Sequence, residues 1–155
     1  MHRNTRAVAE ALAGVAPDAE FRQFDASTRT AVDAAAALGC DVGAIASSLV
    51  FMAGKEPVLI MTSGAHRVDV KLVATAANLA PLRRATPEEV RAATGQPIGG
   101  VAPVGHPFPL RTLVDRDLSR YATIWASAGT PHAVFSTTYD QLLAMTGGST
   151  VQVAH

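Results

Sequence analysis

Apolar and polar positions recur along the chain with two periods, and each period predicts elements. Val8, Ala9, Leu12 and Ala13 lie near one side of a 3.6-residue turn, so residues 1–13 predict a helix that ends at Gly14. Residues 21–24 alternate as a short strand. Ser27 predicts the N-cap of an alanine-rich helix through Leu38, with Gly39 free to take the left-handed conformation that closes a helix. Asp41 caps one short turn through Ala46, and residues 48–52 read as a buried strand. That strand pairs across Gly54, Lys55, Glu56 and Pro57 with residues 58–61, making a hairpin. Residues 69–79 return to helical spacing, with Val70, Leu72, Val73 and Ala76 or Ala77 on adjoining faces. Thr86, Pro87, Glu88 and Glu89 combine an N-cap threonine, a proline at the first helical position and a glutamate at the third, a capping box followed by Gly95. Residues 99–107 hold three glycines and two prolines, which leaves a loop. Residues 110–114, 122–126 and 133–135 read as strands. Thr138 to Gln141 forms a second capping box, opening a helix to about Met145. The class is α+β, with strands outnumbering long helices.

Length and composition narrow the picture. The 155 residues fit one domain spanning residues 1–155. Hydrophobic residues are 48% and charged residues 17%, against about 25% charged in ordinary domains, which excludes a disordered chain and a long solvated coiled coil. Lys+Arg 13 and Asp+Glu 13 cancel, so total charge neither attracts nor repels a polyanion. The single Cys40 forms no internal disulfide, and His2 and Arg3 follow Met1 with no apolar leader, which predicts a cytoplasmic protein. The apolar stretches 49–53 and 58–61 fall far short of the roughly 20 residues that span a bilayer. No membrane contact is expected. Lys55 and Lys71 are the only lysines.

The familiar signatures of serine hydrolases, phosphate loops, dinucleotide folds, zinc proteases and dithiol redox enzymes are missing. His66, His106 and His132 sit in three separate loops at no ligand spacing, so solvated or structural roles compete with a metal-assisted hydrolase built on them. Cys40 follows the helix-ending Gly39 with no basic neighbour to lower its pKa, which assigns it to packing. Loop 99–107 lets a ligand approach the backbone closely, although a structural turn explains the same composition. A second loop, 128–132, offers backbone N–H groups and a histidine, and the two loops together could form one pocket. Ser47 and Ser48 are adjacent where a turn meets a strand, so their side chains point oppositely, one toward a ligand and one into packing.

Four segments together resemble the YbaK/EbsC-type aminoacyl-tRNA deacylases from about Ser27 to the C-terminus. They are residues 44–51, the turn 63–69, Thr94 and Gly95 with residues 99–106, and residues 128–131. The most specific element is the G-x-x-x-P motif, matched by Gly99 and Pro103. The resemblance implies a mixed, mostly antiparallel, barrel-like sheet surrounded by helices. It implies hydrolysis of the ester joining a wrongly attached small amino acid, Ala or Cys, to the 3′ end of tRNA(Pro), without a cofactor or metal. The acceptor end of tRNA is the implied partner, with prolyl-tRNA synthetase as a second. Gly99, Gly100 and Gly129 would give catalytic backbone contacts and Ser47 or Ser48 would touch the aminoacyl or ribose end. Pro103 would hold the loop that includes Val101 and Gly105, while Thr130, His66, His106 and His132 would complete the binding rim. Where the family usually carries a functional lysine, this chain has Ser47. A catalytically degenerate tRNA- or small-ligand-binding module is therefore the alternative. Between residues 67 and 120 eight basic residues stand against five acidic ones, a modest patch for phosphates, and overall neutrality predicts weak, shallowly salt-dependent tRNA binding.

Overall fold

The computed structural model describes residues 2–25 and 30–155. Helix α1 (Arg3–Leu12) leads to strand β1 (Phe21–Gln23) and helix α2 (Ala31–Leu38). A 3-10 turn, Val42–Ala44, opens the hairpin of β2 (Ile45–Ala53) and β3 (Glu56–Ser63). Next come α3 (Val70–Ala76), β4 (Leu82–Arg84), α4 (Pro87–Thr94), β5 (Arg111–Asp115) and the 3-10 turn Arg116–Arg120. Strands β6 (Ile124–Ser127) and β7 (Ala133–Thr137), helix α5 (Tyr139–Thr146) and strand β8 (Ser149–Val151) complete the order.

All eight strands join one mixed sheet in the order β1-β7-β6-β2-β3-β5-β8, and β4 branches from β2. The β1·β7, β2·β3, β2·β4 and β6·β7 ladders are antiparallel. The β2·β6, β3·β5 and β5·β8 ladders are parallel. Central strands β2 and β3 are covered on both faces, which is why their sequences read as apolar runs rather than alternations. Val50, Met52, Leu59 and Met61 pack with Val8, Leu12 and Phe135 on one face. Phe51, Ala53, Val58 and Ile60 pack with Val73 and Leu113 on the other. Helix α1 contributes Val8 and Leu12 to the first core, while the buried Thr5 hydroxyl on the same stripe donates to Ala128 O at 2.8 Å.

The α+β class and the mixed sheet agree with the sequence, while several boundaries differ for local reasons. Ser27 lies outside the described residues, and α2 is capped by Thr30, whose hydroxyl accepts from Asp33 N. Asp41 makes no side-chain cap, and the chain is already extended at Ile45. The hairpin turn shortens to Gly54 and Lys55, because Glu56 and Pro57 pair with Ala53 and Met52. Helix α3 stops at Ala76, and Asn78 takes φ 54° just beyond it. The Thr86–Glu89 capping box forms in full, with Gly95 at φ 72°. The box at Thr138 forms by half: its hydroxyl accepts from Gln141 N, but the Gln141 carboxamide accepts from Thr137 Oγ1 at 3.0 Å. Strands β4 and β8 were not predicted from the sequence. Cys40 is half-buried beside the cluster of Ile45, Trp125 and Val134, and burial, with Asp41, raises its thiol pKa.

Candidate functional site

The site begins with an interruption in pairing. On one side β2 is paired with β3 continuously from Ala46 to Ala53. On the other it pairs with β6 only at Ile45 and Ala46, and with β4 only from Phe51 to Ala53. Residues 47–49 thus have an open edge, and they are also the half-buried stretch in an otherwise buried strand. Backbone groups of successive strand residues alternate between edges. The Ile45 carbonyl accepts from Gly64 N on the β3 side, whereas the Val50 carbonyl accepts from Ala85 N on the β4 side. By that alternation the N–H and C=O facing the gap belong to Ser48.

A cavity of about 440 Å³ occupies this gap, within the range of roughly 300–1,000 Å³ typical of small-ligand pockets. Ser47, Ser48, His66, Gly99, Val101 and Thr130 line it, which brings together six residues singled out from the sequence. The Ser48 hydroxyl donates to Met61 Sδ at 3.1 Å, so this side chain packs while its backbone faces the gap. The Ser47 side chain has no such bond among the described residues. The amides of Gly99 and Val101 likewise meet no acceptor among the described residues, leaving donors beside a partly apolar cavity.

The remaining residues singled out from the sequence stand behind the wall. Gly100 donates its N–H to Pro97 O at 2.9 Å and packs against the second loop, where a Cβ would fall 2.7 Å from Pro131 N and Thr130 C. Gly129, at φ 96°, donates to Ser127 Oγ and accepts from Asn4 Nδ2 at 3.0 Å. Both amides are thus already paired with nearby residues of the chain, Gly100 with Pro97 and Gly129 with Ser127. Pro103 is buried, and Gly105, at φ 82°, abuts Val8 of α1. His106 Nε2 hydrogen-bonds Ala102 O at 2.7 Å, and burial, opposed by that bond, pushes the imidazole pKa below its ordinary value. His132 is exposed, and its backbone carbonyl accepts from Phe24 N.

Three residues outside the sequence reading organise the site. Gln96 is buried; its Oε1 accepts from Ala102 N at 2.8 Å and its Nε2 donates to Val104 O at 3.3 Å. With His106 on the Ala102 carbonyl, it fixes the loop that carries Gly99 and Val101. Asp115, 1% exposed, accepts from Ser63 N at 2.9 Å and faces His66 Nδ1 at 2.8 Å, while Asp117 faces His66 Nε2 at 3.2 Å. Ligand atoms of His66, Asp115 and Asp117 lie within 4.8 Å of one another. Both ring nitrogens, however, are already turned to carboxylates, so the trio is built as a hydrogen-bonded bridge. The three histidines are not brought together, which removes the basis for a metal centre built on them. Signals exist in the sequence for these additions, an amide side chain just before the glycine loop and an Asp-Arg-Asp run starting at the end of β5, but Gln96 bonds residues 6 and 8 positions away and Asp115 bonds residues 52 and 49 positions away, beyond any local pattern.

Residues 25–145 match the aminoacyl-tRNA editing domain. The chain belongs to this family. It is 42% identical to a solved structure described as a candidate trans-editing enzyme for prolyl tRNA synthetase, with TM-score 0.92 over 100% of this chain and 99% of that one. The YwhH protein of Bacillus subtilis is 30% identical, over 79% of this chain and 78% of YwhH. EbsC of Enterococcus faecalis, a candidate Cys-tRNA(Pro)/Cys-tRNA(Cys) deacylase, is 26% identical over 80% of this chain and 76% of EbsC. The proline–tRNA ligase of Thiobacillus denitrificans is 29% identical over 81% of this chain, which spans 22% of that enzyme. No helix among the described residues is long and apolar enough to cross a membrane.

Proposed function

We propose that this editing-domain chain, acting as a single unit in the cytoplasm, hydrolyses the ester linking Ala or Cys to the 3′ end of tRNA(Pro). The observation that carries the reading is the open edge of β2 facing the Gly99–Val101 loop across one cavity. An aminoacyl ester is already activated, so hydrolysis needs a positioned water and donors for the developing oxyanion. Ser48 N–H, Gly99 N–H and Val101 N–H are groups of that kind, fixed before substrate arrives. The ribose hydroxyl next to the ester can assist from the substrate side. Ser47 and Thr130 would contact the aminoacyl and ribose parts, and the cavity walls would favour a small side chain. Gly100, Gly129, Pro103, Gly105 and His106 act behind the wall, and His132 on the rim. Prolyl-tRNA synthetase is the proposed partner that delivers the tRNA, since a neutral chain attracts tRNA weakly on its own.

The test is a panel of Ala-, Cys-, Ser- and Pro-charged tRNAs at enzyme excess. Hydrolysis of the Ala or Cys ester with Pro-tRNA spared is expected; a panel left wholly intact overturns the reading. Ser47 in the family lysine position favours the second reading, a degenerate binding module. Ser47→Lys separates them: a large gain in deacylation marks a degenerate site, and a loss, which we expect, marks a specialised one.

A further inference from the structure

Among the described residues that line the cavity, two carry ionisable side chains, His66 and Arg84. His66 is held between two carboxylates, Asp115 and Asp117, and Arg120 Nε lies 3.6 Å from Asp117. It offers the cavity no surplus positive charge. The two arginines of β4 differ in the same way. Arg83 is held by Glu89 through two 2.8 Å hydrogen bonds. Arg84, whose side chain leaves the strand on the opposite face, meets no carboxylate among the described residues. Its guanidinium lies over the Phe51 ring at 5.6 Å from the centroid.

Its place in the sheet gives this charge a use. Arg84 pairs with Phe51 where β4 leaves β2, so it stands at one end of the open edge. Phe51 lies four positions along β2 from Ser47, roughly 13 Å. That span suits a nucleotide with its acyl group at one end and its phosphate at the other. A guanidinium presents a planar fork that matches phosphate oxygens, and stacking on an aromatic ring orients it while leaving its edge free.

We propose that Arg84 binds the backbone phosphate adjoining the ester-bearing nucleoside and supplies at this end of the cavity the cation that residue 47 lacks. The inference rests on the tRNA reading above for the identity of the ligand. The probes are hydrolysis-resistant 3′-alanylamino-3′-deoxyadenosine and the same compound with a 5′-phosphate, titrated into wild-type protein and variants. The phosphate is expected to tighten wild-type binding about tenfold, with a salt slope near the ~0.7 of one single-strand phosphate contact. Arg84→Gln should bind both compounds equally, Arg84→Lys should keep part of the preference, and Arg83→Gln should keep all of it. Wild type without a phosphate preference, wild type that binds neither compound, or Arg84→Gln that retains the preference overturns the inference. The tRNA panel separates the two claims. Intact tRNAs with an Arg84-dependent phosphate preference sink deacylation alone, whereas hydrolysed tRNAs without that preference sink the Arg84 site alone.

Discussion

The two edges of β2 carry the same kind of backbone and do opposite things. Toward β3 the ladder runs unbroken from Ala46 to Ala53, and both strands are buried on both faces. Toward β6 and β4 it stops after Ala46 and resumes at Phe51, and a cavity fills the interval. Buried backbone groups are almost always paired. A short unpaired stretch inside an otherwise complete sheet is therefore a place where a ligand finds hydrogen bonds ready for it. In an antiparallel pair the two edges are served by alternate residues, so the comparison can be broken one residue at a time.

The largest effect is expected from proline. Ser48→Pro removes an N–H that faces the gap, which an unpaired edge tolerates; it should fold and lose deacylation by about a hundredfold or more, the scale of one oxyanion donor. Leu49→Pro removes an N–H that faces β3 and should instead abolish the folded far-UV spectrum. Equal effects of the two would erase the distinction between the edges. A smaller effect is expected at Gly100→Ala, whose Cβ would meet Thr130 and Pro131 backbone at 2.7 Å. Parting the two loops should cost about 1–3 kcal/mol in denaturant unfolding and slow deacylation with it. Stability unchanged would show that the loops are not held in contact.

The smallest effect is on pH. Burial holds His106 below its ordinary pKa, with the Ala102 hydrogen bond opposing. The unfolded chain thus takes up a proton before the folded one does. Stability from this group is complete above the ordinary histidine pKa near 6.5 and is lost as pH falls from there through the lowered folded value. Thermal midpoints should drop from pH 7.5 to 5, and His106→Gln should flatten that drop. Glu89 adds its own fall at stronger acid. The Arg83 hydrogen bonds, then the Thr86 backbone N–H, hold its carboxyl at about 2, so its contribution is present above about 4.5 and lost toward 2.

What the sequence reveals follows the range of the interaction. The Thr86–Glu89 box and the left-handed Gly39 and Gly95 are legible because every partner lies within four residues. The hairpin is legible because its strands are adjacent and apolar. Strands β4 and β8, three residues each, exist only through partners, so no local pattern marks them. The same limit governs the site. Ser47, Gly99 and Thr130 can be picked out by residue type and by family resemblance. That Gly100 and Gly129 turn their amides into their own loops depends on Pro97 and Ser127 geometry. That the Ser48 backbone faces the gap while its hydroxyl packs on Met61 depends on where two ladders stop. That residue 47 is a serine where the family resemblance implies a lysine is readable from the sequence, but Arg84 is only one of several arginines until Glu89 is seen to hold its neighbour.

The most direct test of the β2 edge as the ligand site is amide NMR during titration with 3′-alanylamino-3′-deoxyadenosine. The Ser48 amide is expected to move most, with Gly99, Val101 and Thr130, while the β3-facing amides of Ser47 and Leu49 move less. Shifts gathered instead around Asp117 and His155, with residues 47–49 and 99–101 unmoved, would contradict it.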